Sequence, residues 1–234
     1  MFTVSYFNSS IPLNFSFYQV QTQQDEHFIP PKMTSPPVNI HVYQDSNGKR
    51  SNPGNVEAEV KRLMQQKKGS TFDFQIHYHN SYHLPGTLYQ VKQTDNSNSI
   101  VIINVGTNDV RYRHDPSTRD HPLSKKDPHQ VMDDIISHLK KDTAPENIII
   151  LESIPSTKMD MKPYNDGNYK LSQMRHIKYA FTLVRESHIW RGDKYHIHNA
   201  FRHVLSKSVA AAIVNVHPVH AYRFQMPFSP KTQY

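Results

Sequence analysis

The strongest pattern in the chain is IVIINVGTNDV at 100–110, an apolar run broken only by Asn104 and closed by Gly106-Thr107-Asn108-Asp109. A β-rich run without polar alternation is the habit of a strand buried on both faces, as in a parallel sheet. The C-terminal end of such a strand opens on the crevice where α/β proteins bind ligands, so the GTND turn is expected at a site. Residues 38–43 (VNIHVY), 71–76 (TFDFQI) and 148–151 (IIIL) read as further strands. Between them apolar side chains recur at helical spacing. Val56, Val60, Leu63 and Met64 predict a helix over 55–68 stopped by Gly69, and Val131, Ile135 and Leu139 predict another over 131–141. A short helix over 88–92 follows a loop at 84–87. Leu171, Met174, Ile177, Phe181 and Val184 predict a long helix over 168–188, and Val204, Leu205, Val209 and Ile213 a last one over 199–216. Ile189-Trp190 is left as a remnant edge strand, and 111–128 and 156–167 read as surface loops.

Strands alternating with helices predict an α/β fold, a three-layer α/β/α sandwich on a mainly parallel central sheet. The prolines at Pro30-Pro31 and Pro36-Pro37 separate a loosely ordered extension, 1–37, from a single domain over 38–216, and 217–234 reads as an irregular tail. The chain has 234 residues, no cysteine and a formal charge of +7. Disulfides, thiolate metal sites and a cysteine nucleophile are thereby excluded. The positive balance is compatible with a polyanionic partner such as nucleic acid, but no nucleic-acid-binding motif is present, and a solvated basic surface is the plainer account. No apolar stretch approaches the roughly 18 residues of a membrane span. The N-terminus lacks the basic and continuous apolar regions of a signal peptide, which favours a cytoplasmic location. Oligomeric state is not encoded in any pattern found.

An ester hydrolase working through serine needs a nucleophile, a base, a group that orients the base, and donors for the oxyanion. Ser46 follows the first strand in a tight turn, as an exposed nucleophile requires. His196 can serve as base, with Asp193 three residues earlier holding the imidazole from within one helical turn. The oxyanion donors would be the backbone N–H groups of Ser46 and Gly86 and the side-chain amide of Asn108. Each residue also has a plainer reading. Ser46 and Gly86 are common turn residues, Asn108 and Asp109 bond local backbone readily, and Asp193 suits a helix N-cap.

The four blocks QDS at 44–46, PG at 85–86, GTND at 106–109 and DKYH at 193–196 resemble, in order, those of the SGNH (GDSL-type) hydrolases. The likeness spans about 38–216, and GTND after a buried strand is its most specific part. DSNGK at 45–49 and PYN at 163–165 are further similar to SGNH-like domains of animal mobile-element proteins. The resemblance implies a flavodoxin-like α/β/α fold and hydrolysis of acyl or acetyl esters without a cofactor. The chain departs from the family at Gln44, where glycine is usual, and in the weak strand before the histidine block. Crowding by Gln44 would leave a catalytically silent module that binds a partner through its basic face.

Sixteen histidines invite a metal hypothesis, with His77/His79, His196/His198 and His217/His220 as the candidate pairs. Tetrahedral zinc needs about four ligands and no recurrent spacing supplies them, so no metal is expected. Arg111, Arg113, Arg119, Lys125 and Lys126, and likewise Lys49, Arg50, Lys61 and Arg62, are candidates for contacting phosphates.

Overall fold

The computed structural model describes residues 37–67, 73–118 and 120–215. The expected extension (save Pro37), the Gly69 helix stop, Arg119, the His217/His220 pair and the tail lie outside the described residues. Five strands, β1 (Val38–Gln44), β2 (Phe74–Asn80), β3 (Ile100–Asn104), β4 (Ile148–Leu151) and β5 (Lys178–Ala180), form one sheet. Its order is β2-β1-β3-β4-β5 and every pairing is parallel. Six α-helices connect and cover the strands: α1 (Pro53–Gln66), α2 (Leu84–Gln93), α3 (Thr107–His114), α4 (Pro128–Leu139), α5 (Lys162–Arg175) and α6 (Arg202–Ile213). The α/β class and the mainly parallel sheet are as the patterning predicts.

Alternation along each strand builds the layers, because successive side chains leave opposite faces. Ile40, Val42, Ile102, Ile149 and Leu151 pack with Val56, Val60 and Leu63 of α1 and Leu205, Val209 and Ile213 of α6. Tyr43, Val101, Ile103, Ile148 and Ile150 pack with Val91 of α2, Met132, Ile135 and Ile136 of α4 and Tyr164 of α5. Each fully buried Ile or Val contributes about 1.5 to 3 kcal/mol of hydrophobic free energy, so these two layers dominate what holds the sheet. Asn104, the polar break in the apolar run, is buried and donates through Nδ2 to Leu151 O (3.2 Å) and Glu152 O (3.1 Å). It fastens the end of β3 to the chain leaving β4.

Several boundaries differ from expectation. The second strand runs Phe74–Asn80, past the expected end at 76, with 71–72 outside the described residues. Its His77, Tyr78 and His79 pair in register with β1, and the rings of His77 and His79 stack on His41 (5.0 and 5.1 Å). The loop at 84–87 is already the first turn of α2, which Pro85 suits because that position needs no N–H. The surface loop placed at 111–128 is helical at its start, since α3 begins inside the GTND motif and runs to His114. α4 starts at Pro128 and α6 at Arg202, after a 3-10 turn over Asn199–Phe201. The long helix of 168–188 is two elements. α5 starts at Lys162, within the expected 156–167 loop, and ends at Arg175, where His176 takes the left-handed conformation (φ 54°, ψ 39°). Ile177 and Val184 fall at helical spacing, yet Ile177 enters one layer and Val184 the other, while Phe181 between them is exposed. β5 is therefore the edge strand, and Ile189 contributes only an isolated antiparallel bridge to Ile197.

Candidate active site

β1 delivers Ser46 to the C-terminal edge of the sheet between β1 and β3, where the connections diverge to opposite sides. In open α/β sheets that divergence opens the ligand crevice. The turn is fixed by Asp45, which is buried: Oδ1 accepts from Asn47 N (2.8 Å) and Oδ2 from Thr107 N (3.3 Å), at the start of α3. The acid before the serine thus ties the Ser46 turn to the helix that carries Asn108. Gln44 does not crowd it. Its Nε2 reaches sideways to Asn80 Oδ1 on β2 (3.0 Å), while its Oε1 is buried with no hydrogen-bond partner.

The segment expected as a helical turn around Asp193 is a non-helical loop, with Lys194 left-handed (φ 65°). Trp190 N donates to His196 O (2.8 Å), Lys194 N to Trp190 O (2.9 Å), and Arg50 Nη1 to Ile197 O (3.0 Å), which moors the loop beside the Ser46 turn. Asp193 uses both oxygens. Oδ1 accepts from the backbone N–H of Tyr195 and His196 (2.9 Å each), and Oδ2 lies 2.6 Å from His196 Nδ1. Burial pushes this carboxyl up, but those N–H groups and the imidazole outweigh it and hold it below the usual carboxylate range. An ionised carboxylate only accepts, so Nδ1 is the donor to Asp193, and in that tautomer Nε2 is the acceptor. That nitrogen lies 3.1 Å from Ser46 Oγ. Ser46, His196 and Asp193, named from the sequence, meet in one chain of contacts.

The remaining two predicted residues sit at helix starts. Asn108 is buried in the first turn of α3, and Nδ2 donates one hydrogen to Tyr82 O (2.8 Å), which leaves the second for another acceptor. Gly106 before it has φ +128°, and a Cβ there would lie 2.0 Å from the hydroxyl of Tyr164, which donates to Val105 O (2.9 Å). Gly86 is placed differently from expectation. Its N–H donates to Nδ1 of His83, the N-cap of α2 (3.0 Å), and a Cβ on it would meet Ser81 Oγ at 2.5 Å. Its N–H can reach an oxyanion only by leaving or sharing His83. Asp109, the last residue of GTND, is buried and accepts from Leu84 N (3.0 and 3.2 Å). Burial pushes its carboxyl up to about 7; the Leu84 N–H opposes this and the nearby Asp45 adds to it.

Patterning missed Asp45, Asp109, His83 and Arg50 as the scaffold of the site. Their one sequence signal is position: each lies in or within five residues of a block that carries a predicted site residue. Among the described residues no three potential ligands gather to hold a metal ion, and no helix is long and apolar enough to cross a membrane. A cavity of about 420 Å³ under the loop after β4, lined by Glu152, Asn165 and Arg185 among others, includes neither Ser46 nor His196.

No family model and no curated protein matches the chain. Solved structures do. An acetyl xylan esterase, AlAXEase, shares 10% identity over 75% of this chain and 100% of its own, with a TM-score of 0.54. A carbohydrate esterase family 3 protein from Talaromyces cellulolyticus shares 12% over 76% and 97%, TM-score 0.54. An acetyl esterase solved as its S10A mutant with an acetate ion shares 13% over 76% and 97%, TM-score 0.52. At such identities the likeness is one of fold alone, the α/β architecture that these esterases share with this chain.

Proposed function

We propose that the chain is a serine-dependent hydrolase of small acyl or acetyl esters. The observation that carries this reading is the contact series Ser46 Oγ to His196 Nε2 and His196 Nδ1 to Asp193 Oδ2, at the C-terminal edge of the sheet. His196 Nε2 takes the proton of Ser46 Oγ as the oxygen attacks the acyl carbonyl. The carboxylate of Asp193 steadies the imidazolium that results. The oxyanion is met by the Ser46 N–H and the free hydrogen of Asn108 Nδ2, with the Gly86 N–H as a third donor once it turns from His83. His196 returns the proton to the leaving alcohol. Water, activated by the same nitrogen, then releases the acyl group from Ser46. No cofactor is needed for these steps.

Among the named neighbours, two are described as acetyl or acetyl xylan esterases, which favours a small acyl group. Nothing in these neighbours supports the narrower likeness to mobile-element domains. Asn165 of PYN instead has a local structural role, pairing through its amide with both Ser153 N (3.2 Å) and Ser153 O (3.1 Å).

The test is labelling by a fluorophosphonate probe together with turnover of short acyl esters. Wild type is expected to label and turn over, and Ser46→Ala to lose both while keeping its circular dichroism spectrum. Absence of labelling and turnover in folded wild type would refute the reading. Salt-sensitive binding of nucleic acid by such an inactive protein would establish the silent module instead.

A further inference from the structure

Four of the basic side chains flagged from the sequence are engaged. Arg50 donates to Ile197 O, Lys61 and Arg62 pair with Glu57 (2.7 Å) and Glu59 (2.6 Å), and Arg113 lies 3.6 Å from Asp127. Arg111 and Lys158 differ. Among the described residues neither the Arg111 guanidinium nor the Lys158 ammonium makes a hydrogen bond or an ion pair, and Arg111 Nε is buried with no acceptor. Both stand on the ring of Tyr195, Arg111 Cζ 4.7 Å and Lys158 Nζ 5.3 Å from its centroid.

A ring holds a cation through its quadrupole and leaves the N–H donors unused. The placement of that ring matters. Tyr195 directly precedes His196, and Arg111 follows Asn108 by three positions on α3, hence on a shared helix face. Two cations that make no ion pair among the described residues therefore stand beside both the imidazole loop and the Asn108 helix. Ser117 and, behind it, both of these cations hold the Asp115 carboxyl below the usual carboxylate range. The larger cause is Ser117, whose Oγ (2.6 Å) and N–H (2.9 Å) occupy Asp115 Oδ1.

We infer that the ester cleaved here carries an anionic oxygen group, a carboxylate or a phosphate close to the scissile bond, which Arg111 and Lys158 receive. This rests on the esterase reading above. The cations supply binding rather than chemistry, so the preference should fall mainly on KM.

Two matched pairs of esters test it. On the acyl side, the mono-para-nitrophenyl ester of glutarate is compared with para-nitrophenyl pentanoate. On the alcohol side, meta-acetoxybenzoate is compared with meta-acetoxybenzamide. At low ionic strength the anionic member of at least one pair is expected to have about 10-fold higher kcat/KM, and about 0.5 M NaCl should erode that ratio by screening. Lys158→Gln, at an exposed position, and Arg111→Gln should each lower the ratio several-fold. Equal kcat/KM within both pairs, with Ser46-dependent hydrolysis intact, would overturn the inference and leave the esterase reading standing. A preference that survives both substitutions would overturn the assignment to these residues. No Ser46-dependent hydrolysis of any of the four esters would remove the esterase reading and this inference together.

Discussion

At the scale of single residues, Asp193 holds two structures with one carboxylate. Oδ1 closes the loop on two backbone N–H groups, and Oδ2 orients the imidazole. Asparagine can imitate the first task through its own carbonyl oxygen but not the second, since an amide in that orientation presents N–H₂ to Nδ1 and favours the wrong tautomer. Asp193→Asn is therefore expected to keep a melting temperature near wild type and to lose about 10³-fold or more in kcat. A variant that unfolds, or one that keeps its rate, would contradict this division of labour. The residue types and their order made Ser46, His196 and Asp193 legible in the sequence. The engagement of Gly86 N–H by His83, and the bonds from Asp109 to Leu84 N and from Asp45 to Thr107 N, were not legible. The latter two span 25 and 62 residues, and no local pattern encodes a partner so far away.

At the scale of elements, the start of α3 is the most constrained piece. Gly106 must be left-handed and must also admit the Tyr164 hydroxyl, so any side chain there is refused twice. Gly106→Ala is expected to destabilise the fold by about 2 to 4 kcal/mol in urea denaturation, beyond the ordinary range for a surface turn. A loss under about 0.5 kcal/mol would mean that Tyr164 moves aside freely. β1, β3 and β4 were readable because buried strands leave apolar runs or alternation. β5 was not, because Ile177 and Val184, which enter different layers, happened to fall at helical intervals with Phe181. The extent of β2 was hidden by its histidines, which stack on His41 where a polar reading expects solvent.

At the scale of the whole molecule, two buried groups oppose each other in the pH dependence of stability. Burial, helped by the neighbouring His79 and His77, lowers His41 to about 4 against the pull of Asp95. A lowered base stabilises the fold above its unfolded value near 6.5, and that contribution is lost as pH falls toward 4. Asp109 has the opposite sign. Its raised value means that the folded state holds a proton the unfolded chain has released, so its contribution is present below about 4 and is lost as pH rises through about 7. Between pH 4 and 6.5 these two contributions nearly cancel. Asp109→Asn removes one side of the balance while keeping an acceptor for Leu84 N. Its unfolding free energy should fall by on the order of 2 kcal/mol between pH 6.5 and 4, read from denaturant titrations. A pH profile unchanged from wild type would show that Asp109 does not titrate as described.

Ser46 and His196 are 150 residues apart in sequence yet touch, and α1 buries its apolar face in the same layer as α6. In a chain made from its N-terminus this has a meaning in time. At about 5 to 20 residues per second, the proposed nucleophile is out of the ribosome on the order of 10 s before its proposed base has been synthesised. For the same interval the stripe of Val56, Val60 and Leu63 has no α6 to cover it. The nascent protein is inert and sticky together, and both conditions end with the synthesis of one stretch, from Asp193 to Ile213.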